Sequence, residues 1–343
     1  MNQMINRTDL IPLPKKVAEG FCPAPFFQLL FHPTGKISPC CWMRDYHLGD
    51  IQRDDVLKLW NGPEIRALRK EFLTGNAITC KKNREEKACH IFYDRFLAHI
   101  EYSEVCRSLP MRFDLRLNSL CNLTCKMCNT WRGPNDVYNN FLYQKVISND
   151  LIANVKELNM LGGEPLIQNS TFELIDLVST SNKDCLWFFT TNLNYSFEKI
   201  VSYLDKIRIS CIQMSLDTLK PEVYKEIRKN GSFDLAIKNI HNFIAYRDHR
   251  KLERGETFKL QASMCVQKDN WEEIPAFIDY CNELGISYHF QFAQTPINVS
   301  LLSYPLEKQE EILSFLIDIV NDQNQRPLYQ VISSLATCIG FKR

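Results

Sequence analysis

The sequence predicts an α/β fold of repeated βα units, with a small cysteine-rich β-hairpin and helix module ahead of it. Three observations predict this. From residue 112 onward, short apolar runs alternate with longer segments of helical apolar spacing, the pattern of βα units on a parallel sheet. Before that point, two strand-like runs, 26–31 and 36–39, flank the turn Pro33-Thr34-Gly35, which reads as a hairpin. Cysteines crowd into two places, one around this hairpin and one at 121–128.

A chain of 343 residues carries a soft prior of about two domains. The boundaries expected are a tail over 1–20, the module over 21–106, the βα core over 107–300, and a C-terminal helix and tail over 301–343. Hydrophobic residues at 45% and charged residues at 24% suit a soluble globular enzyme. The net charge of +1 gives no global field toward nucleic acid or an anionic membrane. No basic stripe with interleaved aromatics points to a nucleic-acid partner. No secretory pattern and no run of membrane-spanning length is present, so a cytoplasmic protein without a membrane partner is expected. There, 14 cysteines point to metal or catalysis rather than disulfides.

The hairpin brings Cys22 toward Cys40 and Cys41. Val56, Leu57, Leu59, Trp60, Ile65 and Leu68 follow at helical spacings. Cys80 and Cys89 close the segment, around a mixed-charge run that reads as a solvated face. A helical linker is expected over 91–104. Core strands are expected over 112–117, 156–161, 185–191, 207–215, 258–266 and 287–293. Helices are expected over 136–149, 170–181, 196–205, 221–246 with a break near Gly231, 271–284 and 306–322; the last residues carry little signal. In barrels of βα units, chemistry gathers at the C-terminal ends of the strands, so motifs at those ends are the candidates. Cys106, Cys185, Cys211, Cys265, Cys281 and Cys338 read as packing residues, and Asn270 as a helix N-cap.

The loop after the first core strand holds Cys121, Cys125 and Cys128 in a C-x3-C-x2-C triplet. Thiolates are soft ligands that suit zinc and iron–sulfur clusters. A [4Fe–4S] cube normally takes four cysteines, so three leave one iron open. This triplet at the end of a first strand resembles the radical S-adenosylmethionine (SAM) enzymes, with Met127 where that family usually has an aromatic residue. The resemblance implies an open partial (β/α)6 TIM-like barrel, and a cluster whose free iron holds the amino and carboxylate groups of SAM. Its electron cleaves SAM to methionine and a 5′-deoxyadenosyl radical.

Three further motifs lie in matching order. Leu161-Gly162-Gly163-Glu164-Pro165 matches the family's GGE motif, which implies that Gly162, Gly163 and Glu164 hold the SAM amino group. Thr191-Asn192 is similar to the family's Thr-Asn pair facing the SAM pocket. Ser215 and Asp217, on one face at a strand exit, resemble the ribose motif. Arg228, in a Y-x-x-I-R element, is placed to neutralise the SAM carboxylate. Met264 and Phe292 mark the strands from which adenine contacts are expected.

The order Cys-Pro, hairpin, Pro-Cys-Cys, Leu-Gly-Asp-Ile, Leu-Trp-Asn helix and further cysteines is similar to SPASM/Twitch modules. That resemblance implies an auxiliary iron–sulfur cluster on Cys22, Cys40 and Cys80. The usual closing C-x2-C pair is broken by Asn83, so the fourth ligand is Cys89 first, Cys41 second, or an open iron. Zinc, with His32 or His90 helping, is the other occupant weighed. Taken together, the resemblance implies a radical SAM enzyme that abstracts hydrogen from a substrate. A peptide or protein leads, because such modules resemble those of peptide-modifying enzymes. A small metabolite or nucleoside, or a non-catalytic metal scaffold, are the alternatives. A flavodoxin or ferredoxin is the expected electron donor.

Overall fold

A computed structural model describes residues 22–43, 45–83, 100–138 and 151–340. The tail, Cys89, and most of the expected 91–104 and 136–149 helices lie outside these residues. The eight strand expectations become β1 Gln28–Phe31, β2 Lys36–Ser38, β4 Arg112–Leu115, β5 Glu157–Met160, β6 Leu186–Thr191, β7 Arg208–Ser215, β8 Lys259–Val266 and β9 Ser287–Phe292, and an unexpected short strand, β3 Gly49–Asp50, joins them. They form one sheet in the order β3-β2-β1-β4-β5-β6-β7-β8-β9. Strands β4 through β9 pair in parallel, each with the next. The two ends of the sheet do not meet, so the barrel is open as expected.

The sequence explains the strands' burial. In β1 and β5 all four residues are buried, as in a parallel sheet covered on both faces. Along β6 burial alternates instead, with Trp187, Phe189 and Thr191 buried and Leu186, Phe188 and Thr190 half-buried. The buried set meets the helical layer; the other set faces the concave side.

The hairpin is continuous with the barrel. Strand β1 pairs in parallel with β4, Leu30 opposite Asp114, so the cysteine-rich module extends the same sheet. Its helices over Val56–Trp60 and Pro63–Leu73 pack below it, with Arg69 fully buried and donating to the Pro25 carbonyl at 2.8 Å. On the other flank, the helix Gln325–Cys338 buries Leu328, Val331, Ile332 and Leu335. Each such side chain contributes roughly 1.5–3 kcal/mol before entropy. The helix Leu306–Asp318 is the other member of this C-terminal pair. The long helix Phe233–Arg254 begins where Ser232 accepts from the Leu235 N–H and ends at Gly255, whose φ of 64° suits a left-handed cap.

Candidate active site

The cluster loop leaves β4 and is fixed by backbone bonds to the segment after the Pro221–Ile227 helix. Lys126 N–H donates to the Ile227 carbonyl at 2.9 Å and Thr124 N–H to the Lys229 carbonyl at 3.1 Å. Cys121, Cys125 and Cys128 are all half-buried. Their charges bear on one another: Cys128 on Cys121, and both on Cys125. Burial pushes the Cys125 thiol up to about 11 and the Cys121 thiol above its ordinary value. Both would give up protons on meeting a metal. Sulfur also finds donors here, since Leu123 N–H lies 3.4 Å and Asn192 Nδ2 3.6 Å from Cys121 Sγ.

Behind Cys121 sits Glu164, fully buried. Its carboxylate accepts from Leu166 N–H at 3.1 Å, from Thr191 Oγ1 at 2.9 Å and from Asn192 N–H. Burial pushes its carboxyl up to about 7, against the pull of these bonds and of Arg228. A carboxyl raised this far by burial is a functional candidate on physical grounds. Gly162 and Gly163, at φ of 81° and 52°, make the turn that carries it there. A Cβ on Gly163 would lie 2.1 Å from the Leu120 carbonyl, so the two loops meet backbone to backbone. Asn192 spans them, with Nδ2 donating to Asn122 Oδ1 at 2.9 Å. The next residue, Leu193, has a φ of 66°, a strained value for an apolar side chain. Asn239 Nδ2 donating to its carbonyl at 2.8 Å and Asn194 N–H donating to Asn192 Oδ1 at 2.8 Å hold it.

A second group gathers around Cys125. Asp217, at φ of 70°, is buried; its Oδ1 accepts from Cys265 N–H at 2.7 Å and its Oδ2 lies 2.9 Å from Arg228 Nε. The expectation set Arg228 against the SAM carboxylate and Asp217 against ribose; here they are each other's ion partners. Ser215 is half-buried, 3.5 Å from Ser263 Oγ, in one register row with Ser263 and His289.

A family model described as the radical SAM superfamily matches residues 116–281, and one described as an iron–sulfur cluster-binding domain matches residues 22–91. The chain carries a radical SAM domain with an iron–sulfur cluster-binding domain ahead of it. It is 28% identical over 178 residues to the probable GTP 3′,8-cyclase of Methanococcus maripaludis strain C7, covering 50% of this chain and 55% of that one. It is 25% identical over 217 residues to the GTP 3′,8-cyclase of Chlorobaculum tepidum, covering 62% and 59%. The chain thus spans about half the length of the curated relatives it matches. Among solved structures, Streptococcus suis SuiB bound to precursor peptide SuiA aligns at TM-score 0.47 and 17% identity, covering 76% of this chain and 60% of that one. Escherichia coli coproporphyrinogen III oxidase (HemN) aligns at 0.41 and 16%, covering 60% and 52%.

A radical SAM domain carries a [4Fe–4S] cluster and SAM, and the N-terminal domain an auxiliary iron–sulfur cluster. The residues fit the first: three mutually interacting thiols on one loop, beside a buried carboxylate. The auxiliary ligands fit in part. Cys22 and Cys41 both raise the Cys40 thiol by their charge, after burial, so these three are neighbours. The N–H groups of Trp42 and Met43 donate to the Cys40 sulfur, a setting suited to a thiolate. Cys80 is half-buried on the helix Ile78–Asn83. Cys22 precedes β1, and Pro39 accepts from Gln28 at its start, so this site lies at the N-terminal end of the strands. The SAM-cluster loop leaves their C-terminal end.

Three expectations need correction. Cys265 is not core: it is half-buried, and its thiol is raised by burial first and also by the charges of Asp217, Cys128 and Cys125. Asn270 does stand at the N-cap of the Trp271–Glu273 helix, but its side chain makes no cap bond; it accepts from Gln267 N–H and donates to the Asp217 and Cys265 carbonyls at 2.9 and 3.0 Å, bracing the Asp217 turn. Met264 and Phe292 are buried in the core, out of a ligand's reach. Sequence reasoning also missed Gln168, whose Nε2 donates to the carbonyls of Leu120 and Gly162 at 2.9 and 3.1 Å. Its position four residues after Glu164 was the available signal.

Proposed function

We propose that this radical SAM enzyme uses Cys121, Cys125 and Cys128 to hold its [4Fe–4S] cluster and removes hydrogen from a small polar molecule rather than a peptide. When bound, the cluster supplies the electron that splits SAM into methionine and a 5′-deoxyadenosyl radical. The residues of this chain do the rest. The single observation behind the assignment is that the loop carrying the three thiols meets Glu164, with Asn192 bonding both Glu164 and Cys121.

Glu164 supplies the countercharge for the SAM ammonium. Its carboxylate holds three donors and has capacity for a fourth. Ser215 faces the concave side and is free of the Asp217–Arg228 ion pair, which leaves it the better ribose contact. Asp217 and Arg228 position the loop at Cys125. Auxiliary iron–sulfur binding falls to Cys22, Cys40 and Cys80, with Cys41 beside Cys40.

Two observations support the small polar substrate. The concave row Ser215, Ser263 and His289, with Cys265 and Gln291 one step above, is polar. Burial, with Lys259 adding to it, pushes His289 down to about 4, so it is neutral near pH 7 and can both donate and accept. The curated relatives, too, are named for GTP chemistry. The test is stimulation of SAM cleavage in the reconstituted protein by fractionated cell extract. A fraction below about 1 kDa, depleted of peptides, should raise 5′-deoxyadenosine release. Stimulation by the peptide fraction alone would return the peptide reading to first place.

A further inference from the structure

A cleft of about 500 Å³ opens over the cluster loop. Cys125 and Cys128 line it, and so do four basic side chains, Lys126, Arg132, Lys229 and Lys268, with Asp269 as the lone acid. Lys126 pairs with Asp269 at 3.1 Å. Among the described residues, no carboxylate pairs with Arg132, Lys229 or Lys268. A chain of net charge +1 has no general surplus to account for three such cations at one mouth.

Two of the three side chains lie against aromatic rings, and the third sits on backbone bonded to the cluster loop. The Arg132 guanidinium lies 4.7 Å from the centre of the Trp131 ring, whose Nε1 donates to the Cys128 carbonyl at 2.9 Å. Lys268 Nζ lies 4.7 Å from the centre of the Tyr304 ring, and its backbone N–H donates to Val299 at 3.0 Å. The Lys229 carbonyl receives the Thr124 N–H of the cluster loop. SAM does not explain them. Its sulfonium and ammonium outweigh its carboxylate, so it carries net positive charge and a ring of cations repels it.

We propose that this cleft receives an anionic small substrate, a phosphate ester or polyphosphate, whose charged group is held by Arg132, Lys229 and Lys268. Lysine and arginine side chains on several loops suit a group with several oxygens and more than one negative charge. The volume is that of a small-molecule site. The inference deepens the function proposed above, since the reacting carbon would then point toward the cluster cysteines. Anion binding itself does not depend on that function.

The probe is tripolyphosphate, titrated by calorimetry into anaerobically reconstituted protein at about 50 and 200 mM salt. One saturable site is expected, weaker at the higher salt. The triple variant Arg132→Gln/Lys229→Gln/Lys268→Gln should bind at least ~tenfold more weakly, with iron content and visible absorbance equal to wild type. Arginine in place of glutamine at 229 and 268, which returns the positive charge without the native lysines, should recover binding. Absent saturation, or equal affinity in the triple variant, would overturn the proposal. So would a variant that leaves tripolyphosphate binding alone but slows reduction by an acidic flavodoxin, since the cleft would then serve the electron donor. Protein that binds tripolyphosphate but takes up no iron would keep the anion site and remove the enzyme assignment. Iron-loaded protein that ignores tripolyphosphate would do the reverse.

Discussion

Replacing Glu164 with Gln should change how stability depends on pH, and the sign can be worked out. Glu164 is fully buried, and burial moves its carboxyl from 4.5 to about 7. Between those values the folded protein keeps a proton that the unfolded chain has lost. The folded state is therefore favoured at the acid end, and this contribution disappears as pH rises through 7. Each pH unit across the span is worth about 1.4 kcal/mol, so the wild type should lose roughly 3 kcal/mol that the non-ionising Glu164→Gln variant keeps. Urea unfolding of iron-free wild type and variant at about pH 4.5 and 8 reads this difference directly. The same charge serves the ligand. At the higher pH the variant should bind SAM about 10–100-fold more weakly, the worth of a charge-assisted hydrogen bond. Wild-type affinity should fall as pH drops below 7, and the variant's should not follow it. Parallel stability curves for the two proteins would refute the reasoning, because the carboxylate would then not be titrating in a buried site.

Three other outcomes follow from the geometry. Arg228→Met should destabilise the fold by roughly 3–5 kcal/mol, because it leaves the buried Asp217 carboxylate without its partner; adding Asp217→Asn should recover part of the loss in urea titrations. Gly163→Ala should strip the first cluster's iron, measured by iron and sulfide analysis, because its Cβ would meet the Leu120 carbonyl at 2.1 Å on a backbone with φ of 52°. Cys22→Ala should lower iron content by about one cluster while 5′-deoxyadenosine release without substrate persists; unchanged iron would remove Cys22 from the auxiliary site.

The core strands were legible to within a residue or two because a covered parallel sheet demands near-continuous apolar runs. The helix Gln325–Cys338 escaped notice. Pro327 looks like a breaker in sequence but sits in the first turn, where its missing N–H costs nothing. Pairing of β1 with β4 had no local signal, since the two strands are far apart along the chain. The cluster loop and the Gly162-Gly163-Glu164 turn were legible because their spacing is itself chemical. The ion pair of Asp217 and Arg228 was not: each residue looked like a ligand contact, and only the left-handed turn at Asp217 brings them together. Cys265 read as core because its neighbours Met264 and Val266 are apolar and buried; alternation along β8 turns it the other way.

Reductive cleavage of SAM tests the cluster assignment most directly. Anaerobically reconstituted wild-type protein with dithionite should release methionine and 5′-deoxyadenosine in equal amounts, while Cys121→Ala, Cys125→Ala and Cys128→Ala each release neither. Release of 5′-deoxyadenosine by any of the three variants would contradict the assignment of that cysteine and of the open iron it helps to hold.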